Sequence, residues 1–65
     1  MKKISISLSG HQTSISLEPE FIDALREIAA RRSSSLASII NEIDANRGAR
    51  NLSSAIRVWV LCNKA

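Results

Sequence analysis

Thr13-Ser14-Ile15-Ser16-Leu17, followed by Glu18-Pro19-Glu20-Phe21, is the stretch whose reading decides the fold. In the first five residues apolar or β-branched side chains alternate with serine. A strand sends successive side chains to opposite faces, so Thr13, Ile15 and Leu17 share one face and the serines the other. Proline then stops the strand, because it cannot donate to a ladder but fits the first turn of a helix. Glu18 and Glu20 add negative charge where the helix dipole favours it. A half-buried strand running directly into a helix is the unit from which the rest is read.

Toward the N-terminus the same alternation recurs over residues 4 to 8, with Ile4, Ile6 and Leu8 on one face. Ser9-Gly10-His11-Gln12 lies between the two segments and supplies a glycine with turn-tolerant neighbours, so they can fold back as a hairpin. The alternative is a loose arm over residues 1 to 9. Toward the C-terminus Phe21, Ile22, Leu25, Ile28 and Ala29 recur at helical spacing, with Asp23, Arg26, Glu27 and Arg31 toward the other side, giving an amphipathic helix that ends near Arg32. Ser33-Ser34-Ser35 breaks it, and Ser35 is the natural cap of a second helix carrying Leu36, Ile39, Ile40 and Ile43. That helix should end around Asn46, with Gly48 suited to a left-handed termination. Asn51 can cap a third helix bearing Leu52, Ala55, Ile56, Trp59 and Val60, its apolar surface widened by Val58 and Leu61.

The chain has 65 residues, 45% of them hydrophobic, and Phe21 and Trp59 are its only aromatics. One domain, residues 1–65, is all this length allows, and so short a chain buries too little surface to be comfortably stable alone. Cys62 is the only cysteine and His11 the only histidine, so neither an intramolecular disulfide nor a closed zinc site can supply the missing stability. Oligomerisation remains, and the apolar third helix is read as packing on another subunit as well as its own core. A net charge of +3 suits a polyanionic partner but is mild for one held by phosphates alone. The alternating N-terminus is unlike a secretory signal, and no apolar run approaches a bilayer span, so a cytoplasmic location is expected. No cofactor or metal is implied.

The order strand, proline-started helix, serine-capped helix resembles the ribbon-helix-helix family, which includes the methionine and Arc repressors. Two segments, Gly10 to Glu18 and Asn51 to Arg57, are similar to a small bacterial subgroup with a Gly-His-x-Thr-Ser-hydrophobic-Ser-Leu-Glu opening and an Asn-Leu-Ser-Ser-Ala-Ile-Arg segment. The resemblance implies a mainly α fold with short β structure (α+β). In it, the 13 to 17 strands of two subunits pair as an intersubunit antiparallel ribbon, with a possible extra N-terminal strand and an additional third helix. It further implies that the ribbon enters the major groove of double-stranded DNA. By period two the base-reading candidates are Gln12, Ser14 and Ser16; glutamine can make two hydrogen bonds to adenine and serine can donate or accept. The turn into helix two should hold a phosphate, with Arg31, Arg32, Ser34 and Ser35 as candidates. This chain departs from the family there, carrying Ser33 and Ser34 where glycine and an apolar residue are usual. The dimer and core set is Ile15, Leu17, Phe21, Leu25, Ile28, Ile39, Ile40, Ile43, Ile56 and Trp59.

The functional expectation is a DNA-binding, transcription-regulator-like module acting as a homodimer or higher homo-oligomer. The alternative is an oligomerisation or protein-interaction module that reuses the fold. Catalysis is not expected: His11 has no recognised nucleophile, acid or metal set around it and is read as a turn or interface residue, and Cys62 as a small packing residue. An antitoxin role is disfavoured, since only Asn63-Lys64-Ala65 follow the third helix. One physical objection stands against groove insertion. If residues 4 to 8 pair beside 13 to 17, a dimer presents four strands, spanning roughly 14 Å between outer backbones at ~4.8 Å per spacing. The major groove is only about 12 Å wide.

Overall fold

The computed structural model of the protein describes residues 1–63; Lys64 and Ala65 lie outside the described residues. It has two strands, β1 (Lys2–Leu8) and β2 (His11–Leu17), then three helices, α1 (Pro19–Arg31), α2 (Leu36–Asn46) and α3 (Leu52–Asn63). The α+β class with an extra N-terminal strand and a third helix is therefore what the chain adopts.

The N-terminal segment is a strand, not an arm. β1 and β2 pair antiparallel from Lys2 opposite Leu17 to Leu8 opposite His11. The turn is tighter than the four residues expected from the sequence: only Ser9 (φ 49°) and Gly10 (φ 82°) connect the strands, while His11 and Gln12 already belong to β2. Positive φ at both central positions matches the right-handed twist of the flanking strands, which is why a two-residue connection suffices. Asn41 of α2 fixes this end of the hairpin. Its amide nitrogen donates to the Ser7 carbonyl at 2.8 Å and its oxygen accepts from the Ser9 amide at 3.2 Å.

The helix ends follow from local chemistry. Ser33 sits at φ 54° and does what a glycine would do after α1. The Ser34 amide reaches back to the Ala29 carbonyl (2.9 Å) and the Ser33 amide to that of Ala30 (3.2 Å), so the last carbonyls of α1 are satisfied although the usual glycine is absent. Ser35 caps α2, its Oγ accepting from the Ser38 amide at 3.0 Å. Asn51 caps α3 through Oδ1, which accepts from the Ser53 and Ser54 amides at 2.9 and 3.3 Å.

One apolar cluster joins the inward face of the hairpin to all three helices. Thirteen apolar side chains are buried in it, among them Ile6 from β1, Ile15 and Leu17 from β2, Ile22 and Leu25 from α1, Ile40 from α2 and Ile56 from α3. Each such Leu or Ile contributes about 1.5–3 kcal/mol of transfer free energy on burial. Of the residues assigned to the core or dimer interface, Ile28, Ile39 and Ile43 are also buried, while Phe21 and Trp59 are only partly buried against the cluster. No buried side chain is polar or charged among the described residues. All three helices and both strands of one chain contribute to this core. α3 is the exception to tidy burial. Val58 and Leu61 are exposed, and so is Cys62, which corrects its reading as a packing residue. Helical period sends 58 and 61 away from the side that carries Ala55, Ile56 and Val60, whereas Cys62, seven residues beyond Ala55, stands on the last turn of α3.

Candidate nucleic-acid interface

The strand period that buries Ile6, Ile15 and Leu17 places Lys3, Ser5 and Ser7 of β1 beside Gln12, Ser14 and Ser16 of β2 on the solvent face of the hairpin, and all six are exposed. In register the face reads as three cross-strand pairs: Lys3 with Ser16, Ser5 with Ser14, and Ser7 with Gln12. None of the six side chains has an intramolecular hydrogen-bond partner among the described residues. It is a flat polar surface with one charge.

The same residues define the free edges of the sheet. In an antiparallel ladder, alternate residues turn their N–H and C=O groups away from the paired strand. The carbonyls of Ser7 and Ser16 show which residues these are, because both bond outside the ladder: Ser7 to Asn41, and Ser16 to the Ser53 hydroxyl of α3 at 3.4 Å. On the outer edge of β2 the outward set is Gln12, Ser14 and Ser16, all uncharged. Along that edge runs a groove of about 420 Å³ lined by Thr13, Ile15, Asp44, Arg47, Leu52 and Ser53, among others. On the outer edge of β1 stand Lys2 and Lys3, and lysine on an edge discourages strand addition.

Three arginines on or beside the helices are already engaged. Arg57 donates from Nε and Nη2 to the two carboxylate oxygens of Glu18 at 3.0 and 3.2 Å. That pairing, helped by the amide of Glu18 itself, holds the Glu18 carboxyl below the usual glutamate range. Arg47 bonds Asp44 at 2.7 Å. Arg32 stacks over the Trp59 ring 5.1 Å from its centre, donates to Asn63 at 2.9 Å and faces Glu42 at 3.8 Å. Of the phosphate candidates, then, Arg32 is committed to a bridge among α1, α2 and α3. Arg31 keeps only a loose 4.0 Å contact with Glu27. Ser34 Oγ is turned to the Arg32 carbonyl, and Ser35 Oγ is occupied as a cap. The structure keeps Gln12, Ser14 and Ser16 on one face and puts the α1–α2 turn elsewhere on the chain. His11 stands exposed at the start of β2.

Sequence reading turns Ser5 and Ser7 outward beside Ser14 and Ser16 if the first strand pairs, but passes over Lys3 as a member of this face. Its signal was present, since 3, 5 and 7 repeat the period of 12, 14 and 16. Asn41 had no comparable signal, because the groups it holds lie 32 and 34 residues away in sequence. Among the described residues no cluster of three His, Cys, Asp or Glu could hold a metal, and no helix is long and apolar enough to cross a membrane.

A strand that enters a proline-started helix, a tight turn, and a second helix capped by serine define the class of small β-ribbon and helix proteins. The chain belongs to the ribbon-helix-helix family: the model of the ribbon-helix-helix domain matches residues 1–63. Searches of curated proteins and of solved structures each returned no match. Proteins of this family are commonly DNA-binding transcription regulators and are typically not enzymes.

Proposed function

We propose that the protein is a DNA-binding regulator that acts as a homodimer, with β2 of each protomer paired across a two-fold axis and its outer face turned to the major groove. The observation that carries this reading is the outer face of β2, where Gln12, Ser14 and Ser16 are exposed and unengaged. Side chains that make no bond within the chain are free to meet base edges. The uncharged outer edge of β2 supports the pairing, since the outward backbone groups of Gln12 and Ser14 need partners and no lysine guards them, while the Ser16 carbonyl takes the Ser53 hydroxyl. Centred on Ser14, the two-fold sets Gln12 of one copy opposite Ser16 of the other. The first turn of α2, with Ser34 and Ser35 beside Arg31, is a second place for a phosphate, where free amides and the positive end of the helix dipole favour an anion.

A second reading, assembly or protein binding without specific DNA recognition, is favoured by the pairing of β1 with β2, which widens the dimer's sheet beyond the groove. Fluorescence anisotropy separates the two. Labelled duplex from upstream of the protein's own gene and a scrambled duplex are titrated at low and near-physiological salt. Preferential binding that survives salt supports the regulator. Gln12→Ala should then reduce the preference by about 1–3 kcal/mol if it reads a base bidentately, with the dimer intact by sedimentation. Equal, salt-labile binding to both duplexes, or none, supports assembly.

A further inference from the structure

We propose that Lys3 is a phosphate-binding residue, and that the sheet of the dimer lies across the major groove with one Lys3 over each backbone wall. The inference rests on the DNA-binding reading above and names the contact that reading leaves out. It starts from the register. Lys3 stands opposite Ser16 within the chain, and Ser5 opposite Ser14. Pairing β2 with its copy about Ser14 extends these into rows of four. One row reads Lys3, Ser16, the partner's Gln12, the partner's Ser7. The central row is serine throughout, and the third row is the first reversed.

Two lysines therefore occupy opposite corners of an otherwise uncharged face, one on each outer strand. The outer strands are three spacings apart, about 14 Å. The major groove is about 12 Å wide. The sheet's width sets β1 and its copy along the two phosphate walls, while the central β2 pair, a two-stranded ribbon, faces into the groove between them. Four residues of rise separate the two lysines along the strands, about 13 Å, so they reach different phosphates.

Charge complementarity favours this placement over a merely solvated lysine. Arg32, Arg47 and Arg57 are all held by carboxylates. Lys3 stands opposite Ser16, with Ser5 next on the same face of β1, and pairs with no carboxylate among the described residues. Lys2, one residue away, belongs to the opposite face of the strand with Ile4 and Ile6.

That neighbour supplies the control. Binding of the upstream duplex is measured by anisotropy over a range of salt concentrations for the wild type, Lys3→Gln and Lys2→Gln, with sedimentation confirming an unchanged dimer. Each variant removes the same charge. Lys3→Gln should flatten the slope of log K against log salt by about 1.8, two contacts at ~0.9 each, and Lys2→Gln should leave it as in the wild type. Equal shifts for the two variants would mean that only net charge matters and would overturn the proposal. So would a wild-type slope retained by Lys3→Gln with binding intact, which leaves the DNA-binding reading standing. A wild type that binds no duplex removes both.

Discussion

The helical side of the molecule and the outer face of its hairpin treat polar groups in opposite ways. Around the helices, Arg32, Arg47 and Arg57 each meet a carboxylate, and the side-chain oxygens of Ser35 and Asn51 hold backbone amides at helix starts. On the hairpin, the side chains of Lys3, Gln12 and the four serines Ser5, Ser7, Ser14 and Ser16 hold nothing among the described residues. The difference teaches that net charge is a poor guide to where a polyanion binds. A cation spent within the fold counts toward +3 but offers little outward, whereas Lys3 is wholly available.

The sharpest way to break the contrast is through two adjacent residues at its boundary. Leu17 is fully buried and Ser16 exposed, although both lie on β2. Leu17→Ala should cost about 2–5 kcal/mol in urea denaturation, from lost transfer free energy plus the cavity left among the helices. Ser16→Ala should stay within about 0.5 kcal/mol, as exposed substitutions do. Comparable losses at both sites would show that the outer face is structural and that the two regions do not divide labour as argued.

A smaller effect is expected at the turn. Gly10 holds φ 82° with nothing within 4 Å of where a Cβ would stand, so the cost of Gly10→Ala is conformational and not a clash. A side chain in the left-handed region costs about 1–2 kcal/mol. Because Asn41 ties the turn to α2, the loss should appear as faster amide exchange throughout β1 and only weakly in α3. Unchanged exchange in β1 would show that the hairpin does not depend on this turn for its place in the sheet.

Much of this was legible because the sequence carries it locally. Period two in Ile15 and Leu17, proline at the first turn of α1, Ser35 before α2 and Asn51 before α3 each name their own structure. The turn was read too long because His11 and Gln12 look like loop residues, while ladder pairing to Leu8 and Ser7 makes them strand. Tertiary pairing overrode local preference there. Ser33 in a left-handed conformation was equally hidden, since serine gives no sign of doing a glycine's task; the bond from the Ser34 amide to Ala29 holds it. For the candidate site, the alternation exposed Gln12, Ser14 and Ser16, but phosphate candidates chosen by sequence proximity to a helix start included Arg32. Its partners Glu42, Trp59 and Asn63 come from two other helices, and no local pattern could bring them together.

The finest test concerns the Arg57–Glu18 pair, which ties α3 to the junction of β2 and α1. Both side chains keep substantial exposure, 30% for Arg57 and 41% for Glu18, so solvent screens the pair and its contribution is modest. Its signature lies in pH. The Arg57 hydrogen bonds, and to a lesser degree the amide of Glu18, lower the carboxyl pKa in the folded chain. A depressed folded value means that the pair stabilises above the unfolded glutamate pKa and that this stability is lost as pH falls through the folded one. Glu18→Gln should therefore be less stable than the wild type at neutral pH, and the gap should close on acidification, as the wild type loses what the variant never had. Curves that stay a constant distance apart down to strongly acidic pH would mean that the variant acts through packing or helix termination at Glu18, and that the helical side does not use this charge as the comparison with the open face requires.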